Sequence, residues 1–403
     1  MINFIVKPEF IIKSILILLF IISFSIPQYY AVIQVFLISL TILFLPFILT
    51  DSTFSFSDIS FLFFLTIIFI GIYGSLIAII NGVDFNAIFI NTKIYMIYPI
   101  VGLWTSILVN NYFNRDAVRL VIIYSFWFIF ILNLLAVLNF YQIAAFIPDN
   151  FLKDNLLSFS IFEGRLILNS LNISSIPILC PFLIYYIFYS KTKISKRKIC
   201  GFITFLLFII LNIASGRRGI WITSFLSISI MYLYFIRYKG INKFIFTSIS
   251  FALFIFLAIG YSGIDSFYVD EFNDQSERSI QSDVLLRAFA ESPLGNGIGS
   301  SFEVIRSEET TWVYELTWHK LLADIGIILP IIIVSIIFFV CKSLIAARRK
   351  IKKHEFDFMF TSTLALSMLL MASFTNPYIL NLDGFIAMGF LLGLIDRMRK
   401  SFS

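Results

Sequence analysis

Two adjacent arginines, Arg217 and Arg218, separate two long apolar runs with almost no loop to hold them away from a bilayer. A guanidinium keeps its charge at every physiological pH, and its planar fork matches phosphate oxygens, so this pair is suited to gripping a phosphate. The alternative is a pair of interfacial arginines snorkelling to lipid headgroups. Arg165, just before an earlier apolar run centred near Leu183, and Arg287 are further candidates for one cationic cluster. A second concentration of reactive groups is Thr311-Trp-Val-Tyr-Glu-Leu-Thr-Trp-His-Lys320. If this stretch is helical, Glu315 and His319 stand at i and i+4 on one face, where an acid and an imidazole can share a proton. Partial desolvation at a membrane boundary raises a carboxyl towards neutrality, which suits a general base; a solvated ion pair is the plainer reading. Trp312, Tyr314 and Trp318 suit stacking on sugar rings, or membership of an ordinary interfacial aromatic belt.

Between these groups lies Glu291-Ser-Pro-Leu-Gly-Asn-Gly-Ile-Gly-Ser300, with Gly295, Gly297 and Gly299 alternating. No strand-helix unit frames it as a dinucleotide loop, and the chain has no GxxxxGK[ST] phosphate loop. The glycines serve either a tight turn or a close approach of backbone N–H groups to an anionic ligand. Cys180, Cys200 and Cys341 are too few and too scattered for a disulfide framework, and His319 and His354 are the only histidines. Neither a metal centre nor a cofactor is expected.

The elements that must carry these residues follow from composition. Hydrophobic residues make up 59% of the 403 residues and charged residues 13%, against roughly 45–50% and about 25% in soluble domains. With 49 Phe as well, one globular core cannot hide this much apolar surface, which argues against a soluble enzyme, a nucleic-acid binder or a disordered scaffold. Crossing hydrocarbon takes roughly 20 apolar residues per helix. The sequence predicts an all-α, polytopic membrane protein of about twelve spans, centred near Leu18, Leu40, Ile67, Val101, Ile131, Leu183, Phe208, Ser227, Leu253, Ile333, Leu369 and Gly389. Residues 1–403 are expected to form a single membrane domain. Basic segments at 191–198, 237–243, 342–353 and 397–400 recur after alternate spans. The positive-inside bias therefore puts them, and both termini, in the cytoplasm. The connection at 262–316 then lies outside. It is rich in Asp and Glu, with only Arg278, Arg287 and Arg306 as basic partners. It is too polar for lipid and too long for a mere connector, so chemistry is expected there.

Across residues 165–345 these elements resemble the O-antigen polymerase and O-antigen ligase family of polytopic glycosyltransferases. Ser215-Gly-Arg-Arg-Gly-Ile-Trp221 is similar to the family's GSRG-type element, with Arg218 at its arginine. Glu291 to Gly299 resembles the glycine-rich element of the long outer loop, with Arg287 where an arginine often precedes it, and Leu322-Ala-Asp-Ile-Gly-Ile-Ile328 resembles the start of the following helix. Arg165 to Asn172 matches the Arg and Asn found before an earlier span more weakly. Ligases of this family carry a histidine about eleven residues before the glycine equivalent to Gly326. Glu315 occupies that place here, which favours a polymerase.

The resemblance implies a GT-C-like fold in a bacterial inner membrane, with an extracytoplasmic active site that joins oligosaccharide repeat units carried on undecaprenyl pyrophosphate. Arg218, Arg165 and Arg287, with Arg217 second, would hold the diphosphate without a metal, and Glu315 or His319 would take the acceptor proton. Direct displacement would invert the anomeric centre. A chain-length regulator and a flippase are the implied partners. The rivals are a ligase that transfers finished glycan to lipid A core, and a transporter that flips the lipid-linked unit. Transporters of that kind usually carry repeated halves and midplane charges, which this sequence does not show.

Overall fold

A computed structural model describes residues 8–25, 31–50, 58–140, 157–162, 165–170, 175–189, 196–214, 218–239, 277–303, 312, 314, 316–374 and 378–400. The elements in chain order are α1 (Pro8–Ser25), α2 (Ala31–Leu43), α3 (Leu45–Thr50), α4 (Asp58–Ile80), α5 (Phe85–Tyr112), α6 (Arg115–Phe140), β1 (Leu157–Phe162), β2 (Arg165–Ser170), α7 (Ile176–Tyr189), α8 (Lys196–Ala214), α9 (Arg218–Lys239), α10 (Glu277–Glu291), α11 (Thr317–Ile325), α12 (Ile328–Lys350), α13 (Lys353–Ala372) and α14 (Leu382–Lys400). These stretches are rich in Ile, Val and Phe, which prefer strands in water. In hydrocarbon a segment must satisfy its own backbone, and only the helix does so within one segment.

Six described helices are long and apolar enough to cross a membrane: α1, α4, α5, α6 from Arg115 to Leu135, α12 and α13. They support a multi-pass membrane protein. Every expected span centre falls within a described helix except Leu253, which lies outside the described residues. Two elements were not expected. One is the antiparallel hairpin β1–β2, in which Phe162 pairs with Arg165 and Leu157 with Ser170. The other is α10, a 15-residue polar helix inside the outer connection.

The chain divides into two compact units, one comprising 1–55, 111–261 and 361–369, the other 56–110, 262–360 and 370–403. In the first, Lys13 Nζ donates to Asn114 Oδ1 at 3.2 Å, and Tyr186 Oη donates to the Arg115 carbonyl at 3.2 Å. The start of α1, the start of α6 and the end of α7 therefore share one end. Trp221 Nε1 donates to the Asn212 carbonyl at 2.7 Å, which ties the start of α9 back to the end of α8.

In the second unit, Asp396 of α14 accepts from the backbone N–H of Ser60 at 3.1 Å and from its hydroxyl, and the Ser106 hydroxyl donates to that of Ser60. Arg397 donates to the Asn110 carbonyl at 3.1 Å. The start of α4, the end of α5 and the end of α14 thus meet at one end, as strict alternation of spans requires. Along the α5–α14 seam, Gly389 and Gly393 form a GxxxG pair. A Cβ at Gly389 would fall on the Gly102 carbonyl, and one at Gly393 on Ser106, so glycine lets the two backbones touch.

Candidate functional site

The opposite end of the second unit carries most of the residues singled out above. After α10, Pro293 and Leu294 turn the chain, and the loop through Ser300 runs between α4, α5 and α11. Gly295, Gly297 and Gly299 have φ of 100°, 95° and 84°, a region a Cβ disfavours. Space is equally tight. A Cβ on Gly295 would strike the Asp324 carbonyl, and one on Gly297 would strike the backbone of Ala78 in α4. Ile298, fully buried, packs in a cluster with Ile70, Tyr95, Leu321, Ile325 and Leu329.

The loop N–H groups are engaged with the protein itself. Gly295 donates to Ser292 at 2.8 Å, Asn296 to Ala323 at 2.9 Å, Gly297 to Asp324 at 2.8 Å and Ile298 to Gly74 at 3.1 Å. The Asn296 side chain bonds the Ala288 and Ala323 carbonyls, stapling α10 to α11, and Asn81, in the turn just after α4, donates to the Asn296 carbonyl. Of the two uses expected for these glycines, the structure shows the tight turn, with Gly295 and Gly297 pressed against the Asp324 and Ala78 backbones. These four N–H groups are not available to an anionic ligand.

Helix α11 rests on this loop. Lys320 is buried and pairs with the carboxylate of Asp324 one turn on. Its ammonium also donates to the Ser300 carbonyl at 2.9 Å and lies 5.0 Å from the Phe302 ring centroid and 5.5 Å from that of Tyr314. Carboxylate, carbonyl and two ring faces together replace the water that a buried ammonium loses. Burial pushes the Asp324 carboxyl up to about 6, against the pull of the Lys320 charge, and lowers the ammonium pKa of Lys320. Tyr314 in turn accepts the Phe302 N–H at 2.7 Å, closing the box.

His319 precedes Lys320 and is half-buried. Its Nδ1 is buried without a hydrogen-bond partner, and desolvation lowers its pKa. The imidazole is therefore predominantly neutral at pH 7 and has a nitrogen free to accept a proton. Trp318 is held by its indole N–H, which donates to the Leu370 carbonyl at 3.1 Å, and by Phe374, whose ring centroid lies 5.4 Å away. Trp312 sits half-buried in a turn.

The expected i, i+4 pair of Glu315 and His319 requires a helix running through both. That condition is not met, because α11 begins at Thr317 and Leu316 has non-helical dihedrals (φ −82°, ψ 79°). Glu315 itself lies outside the described residues, as does Arg217. Arg287 is exposed on α10, the helix that packs on α11 through Leu285, Tyr314, Leu316 and Ala323. Arg165 opens β2 and Arg218 opens α9, both in the first unit. The structure thus brings together the glycine loop, Trp318, His319 and the helix bearing Arg287. The Lys320–Asp324 pair was not singled out from the sequence. Its signal there is a Lys and an Asp four apart within an otherwise apolar stretch, the spacing of an ion pair on one helix face.

The chain matches no model of a known protein family, and no curated protein is significantly similar to it.

Proposed function

We propose that this chain is a polymerase that joins saccharide repeat units carried on undecaprenyl pyrophosphate, working in a twelve-span, GT-C-like membrane domain at the outer face of a bacterial inner membrane. The observation that carries this reading is His319. It is a half-buried imidazole with a buried, unpartnered Nδ1, on a helix fixed by the glycine loop, four residues past Glu315, the position where resemblance to the polymerase and ligase family expects the proton acceptor. Pyrophosphate is already a good leaving group, so the protein has two tasks: to hold its charge and to accept one proton.

In the reaction, an acceptor sugar hydroxyl attacks the anomeric carbon of the donor glycan. The new C–O bond forms as the bond to the diphosphate oxygen breaks. The hydroxyl proton passes to His319 or Glu315, and undecaprenyl pyrophosphate leaves with the electron pair. One displacement inverts the anomeric centre. Arg218, Arg165 and Arg287, with Arg217 as the second choice, are assigned to the diphosphate by this reading. A guanidinium carries fixed positive charge, so neither a metal nor a cofactor is required.

Deleting the gene tests the assignment against its nearest rival. A polymerase mutant keeps one repeat unit on the lipid core, a ligase mutant leaves the core bare, and an unaltered surface glycan overturns both.

A further inference from the structure

The first turn of α11 has an unfilled requirement. A helix leaves its first N–H groups without intrahelical partners, and here the first helical bond is donated by Lys320, to the Leu316 carbonyl at 2.9 Å. The capping position is Leu316, whose side chain cannot accept a hydrogen bond and makes none. The N–H groups of Thr317, Trp318 and His319 therefore lie ahead of the first bonded turn, at the positive end of the helix dipole. Independently, Thr317 itself is 1% exposed, and its hydroxyl has no hydrogen-bond partner. Burying a hydroxyl unpaired is costly. Thr317 stands at the first helical position, so this hydroxyl belongs to the same turn as those N–H groups. His319, two residues on, adds its unpartnered Nδ1.

We propose that this turn is an oxyanion subsite for a phosphate group, with the N–H groups of Thr317, Trp318 and His319 and the Thr317 hydroxyl as donors. Helix N-termini bind phosphate through such groups. The assignment of the occupant to the diphosphate of a lipid carrier rests on the polymerase reading; the oxyanion chemistry does not. The glycine loop spends the N–H groups of Gly295, Asn296, Gly297 and Ile298 on packing, and the α11 turn is where such groups remain for a ligand.

Thr317→Val tests the subsite, because it replaces the hydroxyl by a methyl of nearly the same shape. If the hydroxyl serves only the fold, removing an unpaired buried group leaves thermal stability unchanged or higher. Binding is measured on the purified full chain in detergent by calorimetric titration with farnesyl diphosphate and, separately, with inorganic pyrophosphate. The expected result for both probes is binding by the wild type and at least about tenfold weaker binding by Thr317→Val, a decade being ~1.4 kcal/mol. Thr317→Ser, which keeps the hydroxyl, should restore it, and the melting temperature should not fall. Equal affinity in wild type and Thr317→Val overturns the subsite, as does an absence of binding by the wild type. Displacement of farnesyl diphosphate by phosphatidylglycerol at matching concentration overturns the carrier assignment in favour of a headgroup. The two readings fail separately. Polymer formed with unchanged KM by Thr317→Val sinks the subsite alone, whereas diphosphate bound through Thr317 by a chain that joins no sugars sinks the polymerase alone.

Discussion

Lys320 and Asp324 face each other one helical turn apart, both buried, with the Lys320 ammonium reaching on to the Ser300 carbonyl. This pair clamps α11, which carries His319, to the loop that follows α10. Removing one partner leaves the other charge buried and alone, at a cost of ~3–5 kcal/mol, whereas replacing both by apolar residues of similar volume is often close to neutral. Lys320→Met and Asp324→Asn are each expected to lower thermal stability sharply, and Lys320→Met/Asp324→Leu to recover most of the loss. A double-mutant cycle on melting temperatures in detergent measures the coupling, and additive losses would count against the clamp.

Asp324 also sets a pH dependence. Its carboxyl is raised by burial from 3.8 to about 6 in the folded chain, so between those values the folded state binds a proton that the unfolded state has released. Its contribution to stability is fully present below about pH 4 and is lost as the pH rises through about 6. Thermal melts from pH 4 to 7 should show this loss in the wild type, and a smaller slope in Asp324→Asn.

For His319 the direction is opposite. Desolvation holds its pKa below the usual 6.5, so the proton-accepting form already predominates at pH 6.5. If His319 is the base, polymerisation rates rise along an acid limb centred below pH 6.5. His319→Gln should lose both the rate and that limb. A limb unchanged in His319→Gln would shift the role to Glu315.

Gly297 is tightly constrained in the loop. It has positive φ, its N–H bonds the Asp324 carbonyl, and a Cβ would strike the Ala78 backbone in α4. Backbone cannot yield as a side-chain tip can, so Gly297→Ala should lower stability by more than the ~1–3 kcal/mol typical of overpacking. Gly82, also at positive φ but with open space around its Cβ position, is the control, and Gly82→Ala should lose only the cost of its φ. Comparing detergent-solubilised yield and melting temperature for the two separates clash from strain.

The helices of the spans were legible because an apolar run of the right length has few other ways to satisfy its backbone in lipid. Lys and Arg placement predicts an alternation of sides, and the meeting of Ser60, Ser106 and Asp396 at one end of the second unit is consistent with it. The glycines announced a turn, but not which backbone they would meet: the partner of the Gly297 N–H is Asp324, and only the tertiary packing supplies that pairing. Lys320 was passed over because sequence records a charge and not its depth. The polar composition of α10 resembles a loop's, so its helix is not legible in the sequence, nor is the bridge that the Asn296 side chain makes between it and α11.

The central claim is sugar-to-sugar coupling on a lipid diphosphate. Its most direct test is the purified full chain in proteoliposomes supplied with an undecaprenyl-pyrophosphate-linked repeat unit and no added metal. The account predicts a ladder of longer glycans with release of one undecaprenyl pyrophosphate per linkage, lost in Arg218→Ala. Lipid-linked units that cross the bilayer but are never joined would contradict it.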